Sequence, residues 1–469
     1  MKAVLDIGKT NVKLQLVDDS NRLCHTWTKP NTPLTGGDYP HADVEGIWQW
    51  LVASLRDYHQ GSGASGPAIT DLVITTHGAT AALIDHRKAP EEALVLPLAD
   101  YEYPGFQECD NAYQAVRPDF SETCSPDLPA GLNLGRQIFW LQQRFPADFA
   151  KATHLLMYPQ YWGWRLTGEV AAEVTSLGCH TDLWSPVSKD YSSLVRRCQW
   201  QSLMPPLKSA WEVLGQVTPA VAAQTGLPVD CRVYVGLHDS NASYLRYLFD
   251  QRFAGVSFSV ISTGTWTLLM RAGADTAVLA SERDMLANCD VRGNPVSCAR
   301  FMGGREYARI CQQLGGDAGQ SPGEDDIQTA IDQGWMATPD FSEGNGPFGG
   351  RTPGLHCPQP AASPAAIATL YCALMIDQRL ADLGATGPLL MEGAFLKNSL
   401  LCQLLAQLRP DQPLYLSADD TGTVQGALLL TAMARPVAAD LQICPPGRFR
   451  GLADYRARWY ACIESSPAG

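Results

Sequence analysis

The sequence predicts an α/β protein made of two similar domains, and three observations carry that expectation. The chain has 469 residues, more than a single hydrophobic core ordinarily fills. Near the N-terminus, apolar runs flank Asp6-Ile7-Gly8-Lys9-Thr10-Asn11, and Lys13 and Gln15 alternate with Leu14 and Leu16. That alternation is strand periodicity, so the segment reads as a hairpin with a glycine-bearing turn. In the second half a β-branched run reaches Ser262-Thr263-Gly264-Thr265, and another strand begins at Trp266. A strand–glycine turn–strand unit in each half points to a duplicated architecture rather than a short repeat array.

These turns have a chemistry in common. A tight turn with a glycine and flanking hydroxyls offers backbone N–H and O–H donors to a phosphate. Between the two turns, Val233-Tyr234-Val235-Gly236 ends a β-branched run and leaves His238 and Asp239 where a strand feeds a helix. A carboxylate there reaches ligands at the carboxyl edge of a sheet. Asp239 is therefore a candidate base, although Asp is also a favoured helix N-cap. Asp6 is an acid between Leu5 and Ile7, an unusual place for a residue that is only a turn former.

Composition removes several function classes. With 45% hydrophobic and 18% charged residues, the chain has the make-up of a soluble globular protein. A formal charge of −13 argues against sequence-independent nucleic-acid binding, which needs a basic surface. The fourteen cysteines are scattered, without a Cys-x-x-Cys or zinc-finger spacing, and read as reduced thiols. The chain enters a strand at once without a leader pattern, and its apolar runs fall short of a bilayer span. A soluble, cytoplasmic protein with no membrane partner is expected.

In chain order, residues 29–43 read as a loop. Ile47, Trp48, Leu51 and Leu55 give a helix over 44–59, broken from Gly61 to Pro67. Asp71–Thr76 is a buried strand delivering His77-Gly78-Ala79-Thr80 to a loop before the strand Ala82–Asp85. Residues 97–133 are rich in Pro, Asp and aromatics with little periodicity, as binding loops or lids are. A helix covers Leu134–Phe145, and the domain boundary falls near Phe249, giving domains 1–249 and 250–469. Residues 315–326 and 339–364 read as loops, with Gly344–Gly350 a candidate flap. An apolar helix over Ala365–Leu383 precedes a strand from Leu389 to Met391. Asn398 then N-caps the next helix. Gly422, Thr423 and Gly426 mark a last helix before an irregular tail.

Several of these stretches resemble the FGGY family of carbohydrate kinases. Asp6-Ile7-Gly8-Lys9-Thr10 with Lys13 resembles its first phosphate motif, and Gly236-Leu237-His238-Asp239 with Ala242 its catalytic-aspartate motif. Ser262-Thr263-Gly264-Thr265 is similar to its second phosphate motif, and Glu392-Gly393 through Lys397-Asn398 to its adenosine motif, which ordinarily has paired glycines. Leu134–Phe145, Leu166-Thr167-Gly168-Glu169 and Thr175-Ser176 resemble a scaffold segment in which Gln137 replaces a usual lysine. His238-Asp239 and Thr265-Trp266 resemble the rhamnulokinase branch in particular.

The resemblance implies two ribonuclease H-like domains of the actin/hexokinase type, with the active site in the cleft between them. It also implies an ATP- and Mg²⁺-dependent sugar kinase. Asp239 would be the base, beside His238. His77, Gly78 and Asp110 would contact the sugar, and Asp6 would hold the magnesium ion. Gly8, Lys9, Thr10, Asn11 and Lys13 would line the first phosphate loop. Thr263, Gly264 and Thr265 would line the second, and Gly393 and Asn398 would sit by the adenosine. The expected partner is a small sugar, a ketose such as L-rhamnulose, L-fuculose or a pentulose such as xylulose or ribulose. No nucleic acid is expected, and a homodimer is allowed. Two other classes compete, an actin-like ATPase module and a non-catalytic sugar sensor. His77, His238 and the aromatic segment 97–133 favour the kinase, as does the full set of acids and glycines.

Overall fold

The computed structural model describes residues 1–60, 67–273, 275–358, 363–417, 422–432 and 438–465. The expected break at 61–67 falls almost wholly outside them. Contacts divide the chain into two units. One contains Met1–Gln251, Ala287–Pro295 and Thr421–Ala438, and the other Arg252–Leu286, Val296–Asp420 and Ala439–Gly469. The longest run of the first unit thus ends close to Phe249, but two later segments return to it.

In the first unit, strand β1 (Lys2–Ile7) is the hub. It pairs antiparallel with β2 (Asn11–Val17), which pairs antiparallel with β3 (Leu23–Pro30). On its other side β1 runs parallel to β4 (Asp71–Thr76). Beyond β4 lie β6 (Arg232–Tyr234), parallel to it, and at the edge β5 (Val213–Gln216), antiparallel to β6. A short strand, β7 (Leu237–His238), pairs with the end of β4. β1 and β4 are buried almost throughout because both faces of the sheet are covered. Helix α1 (Val44–Gln60) buries Ile47, Trp48, Leu51 and Leu55 against one face.

The second unit repeats the order. β8 (Ser259–Thr263) pairs antiparallel with β9 (Thr267–Arg271), which pairs antiparallel with β10 (Pro295–Phe301). β8 also runs parallel to β11 (Leu389–Gly393), and β11 parallel to β12 (Leu414–Ser417). A hairpin followed by a parallel strand thus occurs in each unit, the duplication expected from the two glycine turns. The core of the second unit is centred on α6 (Pro364–Asp382), whose Ile367, Leu370, Leu374 and Leu380 are fully buried or nearly so.

Three stretches depart from the expected organisation. Residues 97–133 contain helical turns at Pro104–Cys109, Asp110–Val116 and Phe120–Thr123. Their brevity hides them from an 11-residue or longer periodicity window. Glu324–Gln333 is a helix entered from within the expected loop, its start held by Asp326 accepting the Gly323 N–H at 2.9 Å. The tail is not irregular throughout. Helix α9 (Leu452–Ser465) buries Leu452, Tyr455, Trp459 and Ile463, and the Trp459 indole donates to Ala337 O at 2.8 Å. The spacing of these anchors, three and four residues, is helical in the sequence itself, and the proline- and arginine-rich stretch just before them is what makes the whole tail read as irregular. The glycine-rich candidate flap has its N–H groups engaged: Asp340 accepts those of Gly344 and Gly350, and Asp284 that of Gly346.

Candidate active site

Three neighbouring strand ends in the first unit assemble the candidate centre. β1 presents Asp6, whose antiparallel partner on β2 is Lys13 and whose parallel partner on β4 is Thr75. The next backbone step ties the strands together, as His77 N donates to Ile7 O at 2.8 Å. β7 then brings His238 level with Thr76. Gly236 makes that approach possible: its φ is +79°, and a Cβ there would collide with Ile74 O.

Asp239 opens helix α4 (Asp239–Leu248) as its first residue, and His238 occupies the cap position without a side-chain cap bond. The Asp239 carboxylate is 29% exposed; its Oδ1 accepts the Ser240 N–H at 2.6 Å and lies 3.4 Å from His238 Nε2. Ser240 is the second residue of the helix, so this oxygen serves one of its free first-turn N–H groups as a capping carboxylate does, although His238 occupies the cap position. His238 is buried, its Nε2 is 3.5 Å from Cys179 Sγ, and its Nδ1 has no hydrogen-bond partner among the described residues. Burial lowers its pKa against the opposing pull of Asp239, so the ring is neutral near pH 7.

Asp6 and Asp239 interact electrostatically. Burial and then the Asp239 charge push the Asp6 carboxyl up to about 7, against a lowering by Lys13. Two carboxylates that repel each other in a poorly solvated place, with one lysine opposite, suit a hard divalent cation with oxygen ligands.

Around His77 is a small cleft of about 20 Å³, room for about one water, lined by Lys9, Asn31, Pro33, Ala42, His77, Thr80, Ala99, Asp100 and Tyr101. His77 Nδ1 is 2.9 Å from Gly78 O, and its ring packs on Tyr101 and Tyr158. Burial lowers the His77 pKa, which leaves Nε2 as an acceptor. A Cβ at Gly78 would come within 2.8 Å of His238 Nε2, so the glycine lets the two histidine loops meet. Gln137, at the position of the usual lysine, donates to Ala79 O at 2.7 Å and Gly131 O at 2.5 Å. It clamps the His77 loop to the aromatic segment. Asp110 lies 3.2 Å from Arg136 Nε, and that guanidinium also donates to Leu128 O and Ala130 O.

In the first glycine turn, Gly8 N donates to Asn11 O at 2.9 Å and Asn31 Nδ2 to Gly8 O at 2.7 Å. Thr10 and Asn11 are exposed. Lys9 turns toward the cleft, its Nζ hydrogen-bonded to Asp100. In the second unit Gly264 N closes its turn on Trp266 O at 2.9 Å and Thr265 is exposed. The Thr263 hydroxyl is spent internally, donating to Glu392 O at 2.7 Å and accepting from Phe395 N at 2.9 Å. Gly393 has φ +92° and abuts Thr263 O. Asn398 caps helix α7 (Ser399–Leu408), accepting the Leu401 N–H at 3.1 Å and donating to Thr369 at 2.8 Å. Gly304, which begins helix α5 (Gly303–Gln313) with Gly303, donates to Gly264 O at 3.1 Å.

Sequence reasoning missed Asn31, Asp100, Tyr101 and Gly304. Asp100 and Tyr101 lie in the segment singled out as a binding loop, whereas nothing near Asn31 or Gly304 in sequence distinguishes them.

Fold and site define an α/β protein of duplicated domains, with facing acids and glycine turns suited to phosphate. Residues 1–245 match the model of the FGGY family of carbohydrate kinases, N-terminal domain, and 255–439 that of carbohydrate kinase FGGY, C-terminal domain. The chain belongs to this family, whose fold is the actin/hexokinase type. A carbohydrate kinase from Novosphingobium aromaticivorans of known structure is 35% identical, with a TM-score of 0.88 over 98% of this chain and 100% of that one. The L-fuculokinase of Escherichia coli K12 is 24% identical over 59% of this chain and 58% of its own length. The L-xylulose/3-keto-L-gulonate kinase of the same strain is 25% identical over 50% of this chain and 47% of its own. The chain thus matches about half the length of these curated relatives. Among the described residues no helix is long and apolar enough to cross a membrane.

Proposed function

We propose that the protein is an ATP-dependent sugar kinase that transfers the γ-phosphoryl group to a hydroxyl of a small ketose, with Asp239 as general base. The observation that carries this reading is Asp239 itself, a partly exposed acid at the start of helix α4, beside neutral His238 and electrostatically coupled to buried Asp6. Asp239 takes the proton of the substrate hydroxyl while that oxygen attacks the γ-phosphorus. The bond from the γ-phosphorus to the β–γ bridging oxygen breaks, ADP leaves, and Asp239 returns the proton to solvent. Such transfer depends mainly on positioning and charge stabilisation.

His77 and His238 orient the sugar as neutral hydrogen-bonding groups. Asp6 would hold Mg²⁺ through water, and the ion would supply charge neutralisation for the phosphates. Gly8, Thr10 and Asn11, with Lys13 as a point charge, line the first phosphate turn, and Gly264 and Thr265 the second. Gly393 and Asn398 lie by the adenosine. Relatives named L-fuculokinase and L-xylulose/3-keto-L-gulonate kinase support a ketose, with L-fuculose, L-rhamnulose and the pentuloses as first candidates. The test is ADP release with ATP and Mg²⁺ across ketoses, pentuloses, polyols and aldoses. A large rise with one sugar that Asp239→Asn abolishes is expected. Low, sugar-independent hydrolysis across the panel would favour an actin-like ATPase module instead.

A further inference from the structure

We propose that Cys179 is a positioning residue for phosphoryl transfer, its sulfur sharing the Nε2 proton of His238 with Asp239 and so holding the imidazole against the base. This inference rests on the sugar-kinase reading and adds to it a residue that none of the motifs behind that reading contains.

Cys179 is buried and lies just beyond the short helix Val174–Leu177. Three stretches of chain meet at one nitrogen. Nε2 of His238 is 3.5 Å from Cys179 Sγ and 3.4 Å from Asp239 Oδ1. A Cβ at Gly78 would stand 2.8 Å from the same nitrogen and 3.4 Å from the sulfur, so the glycine lets the His77 loop pass both. The segment that carries Cys179 also holds the His238 backbone, whose N–H donates to the Thr175 hydroxyl at 3.0 Å. One short stretch therefore fixes His238 at its backbone and at its ring.

The ring is neutral near pH 7 and has a single N–H to place. On Nδ1 it would be a buried donor without an acceptor among the described residues. The Nε2 lone pair would then face the Asp239 carboxylate, acceptor against acceptor. On Nε2 the proton lies between an anionic oxygen and a weakly accepting sulfur at nearly equal distances. The second tautomer is the stable one, and Cys179 makes its contact two-sided. Asp239 Oδ1 already accepts the Ser240 N–H at 2.6 Å, so the carboxylate is held without His238, whereas the imidazole has only these two polar contacts at Nε2. Removing the sulfur leaves the ring with one long contact and room to turn away from the base. Rates fall steeply when the groups that orient reactants shift by a fraction of an ångström.

The test measures ADP release with ATP, Mg²⁺ and L-fuculose, L-rhamnulose, L-xylulose or D-ribulose, whichever is turned over fastest. Cys179→Ala should lower kcat by about tenfold and leave KM for ATP unchanged, while Cys179→Ser, whose hydroxyl accepts the same proton, should stay within about threefold of the wild type. If the sulfur served packing alone, serine would put a polar group in a buried place and do no better than alanine. In a His238→Ala background, Cys179→Ala should cost nothing further, since the two residues act through one contact. Nitrogen-15 NMR of the wild type should find the His238 proton on Nε2, a readout independent of turnover and of whether a variant folds. A proton on Nδ1, an unchanged kcat in Cys179→Ala, a serine variant no better than alanine, or a full additional loss in the His238→Ala background overturns the inference and leaves the kinase reading standing. Absence of turnover by the wild type with any sugar overturns the kinase reading, and the inference with it.

Discussion

The backbone N–H of His238 donates to the hydroxyl of Thr175 at 3.0 Å, and that hydroxyl donates in turn to buried Glu173 at 2.6 Å. Glu173 also accepts the N–H groups of Thr175 and Ser176 and so caps the short helix Val174–Leu177. A scaffold segment thereby fixes the loop that carries Asp239, one residue beyond the bonded N–H. Thr175→Val removes the hydroxyl at nearly constant volume and leaves a buried N–H unpaired, a loss of about 1–3 kcal/mol. We expect kcat to fall while KM for ATP is unchanged, with Thr175→Ser restoring turnover. Steady-state kinetics of the two variants check this, and a uniform loss in both would reduce Thr175 to a packing residue.

Asp239→Asn keeps the shape of the side chain but cannot accept the hydroxyl proton. Turnover should drop by about 10²- to 10⁴-fold, the range typical of general-base loss. Binding of ATP, followed by calorimetry, should persist. Near-wild-type turnover would remove Asp239 from the base role.

Burial pushes the Glu173 carboxyl up to about 7 from its ordinary 4.5, against the lowering effect of its hydrogen bonds. The folded state therefore binds more protons than the unfolded state between those two values. Stability contributed by this group is full below the lower value and is lost as pH rises through the upper one. Melting temperatures measured from pH 5 to 8 should fall with a steeper slope in the wild type than in Glu173→Gln. Identical slopes would show that Glu173 does not titrate in this range.

Two glycines of the second unit should respond differently to alanine. Gly393 combines φ +92° with a backbone oxygen where a Cβ would stand, so Gly393→Ala should cost more than about 1 kcal/mol and lower the melting temperature. At Gly264 the nearest heavy atom to a new Cβ is Trp266 O at 3.6 Å, an ordinary contact. Gly264→Ala should therefore fold normally and raise KM for ATP, if its turn cradles phosphate. A normal KM with normal folding would take Gly264 out of that role.

Much of the fold was legible because its signals are local. The hairpin around Gly8, the buried strand Asp71–Thr76, helix α1 and the apolar helix α6 each follow from periodicity within one window. The Asn398 cap was legible for the same reason, since its acceptor serves an N–H three residues on. Helix α9 was not. Its Leu452, Tyr455, Trp459 and Ile463 stand at helical spacing, but the proline-rich approach Cys444–Gly447 makes the tail read as irregular, and Trp459 reveals its role only when the core of the second unit closes on it.

The sequence by itself determined the duplicated α/β plan, the two glycine turns and the identity of the candidate acid, because glycine, hydroxyl and carboxylate at strand ends are chemical choices visible residue by residue. Only the tertiary structure decided that Lys9 faces Asp100 and Tyr101, that Thr263 spends its hydroxyl between strands, and that Thr175 holds the His238 backbone. Those pairings join residues separated by dozens of positions or more. Parallel strands brought into register, and not local propensity, determine which distant side chains meet.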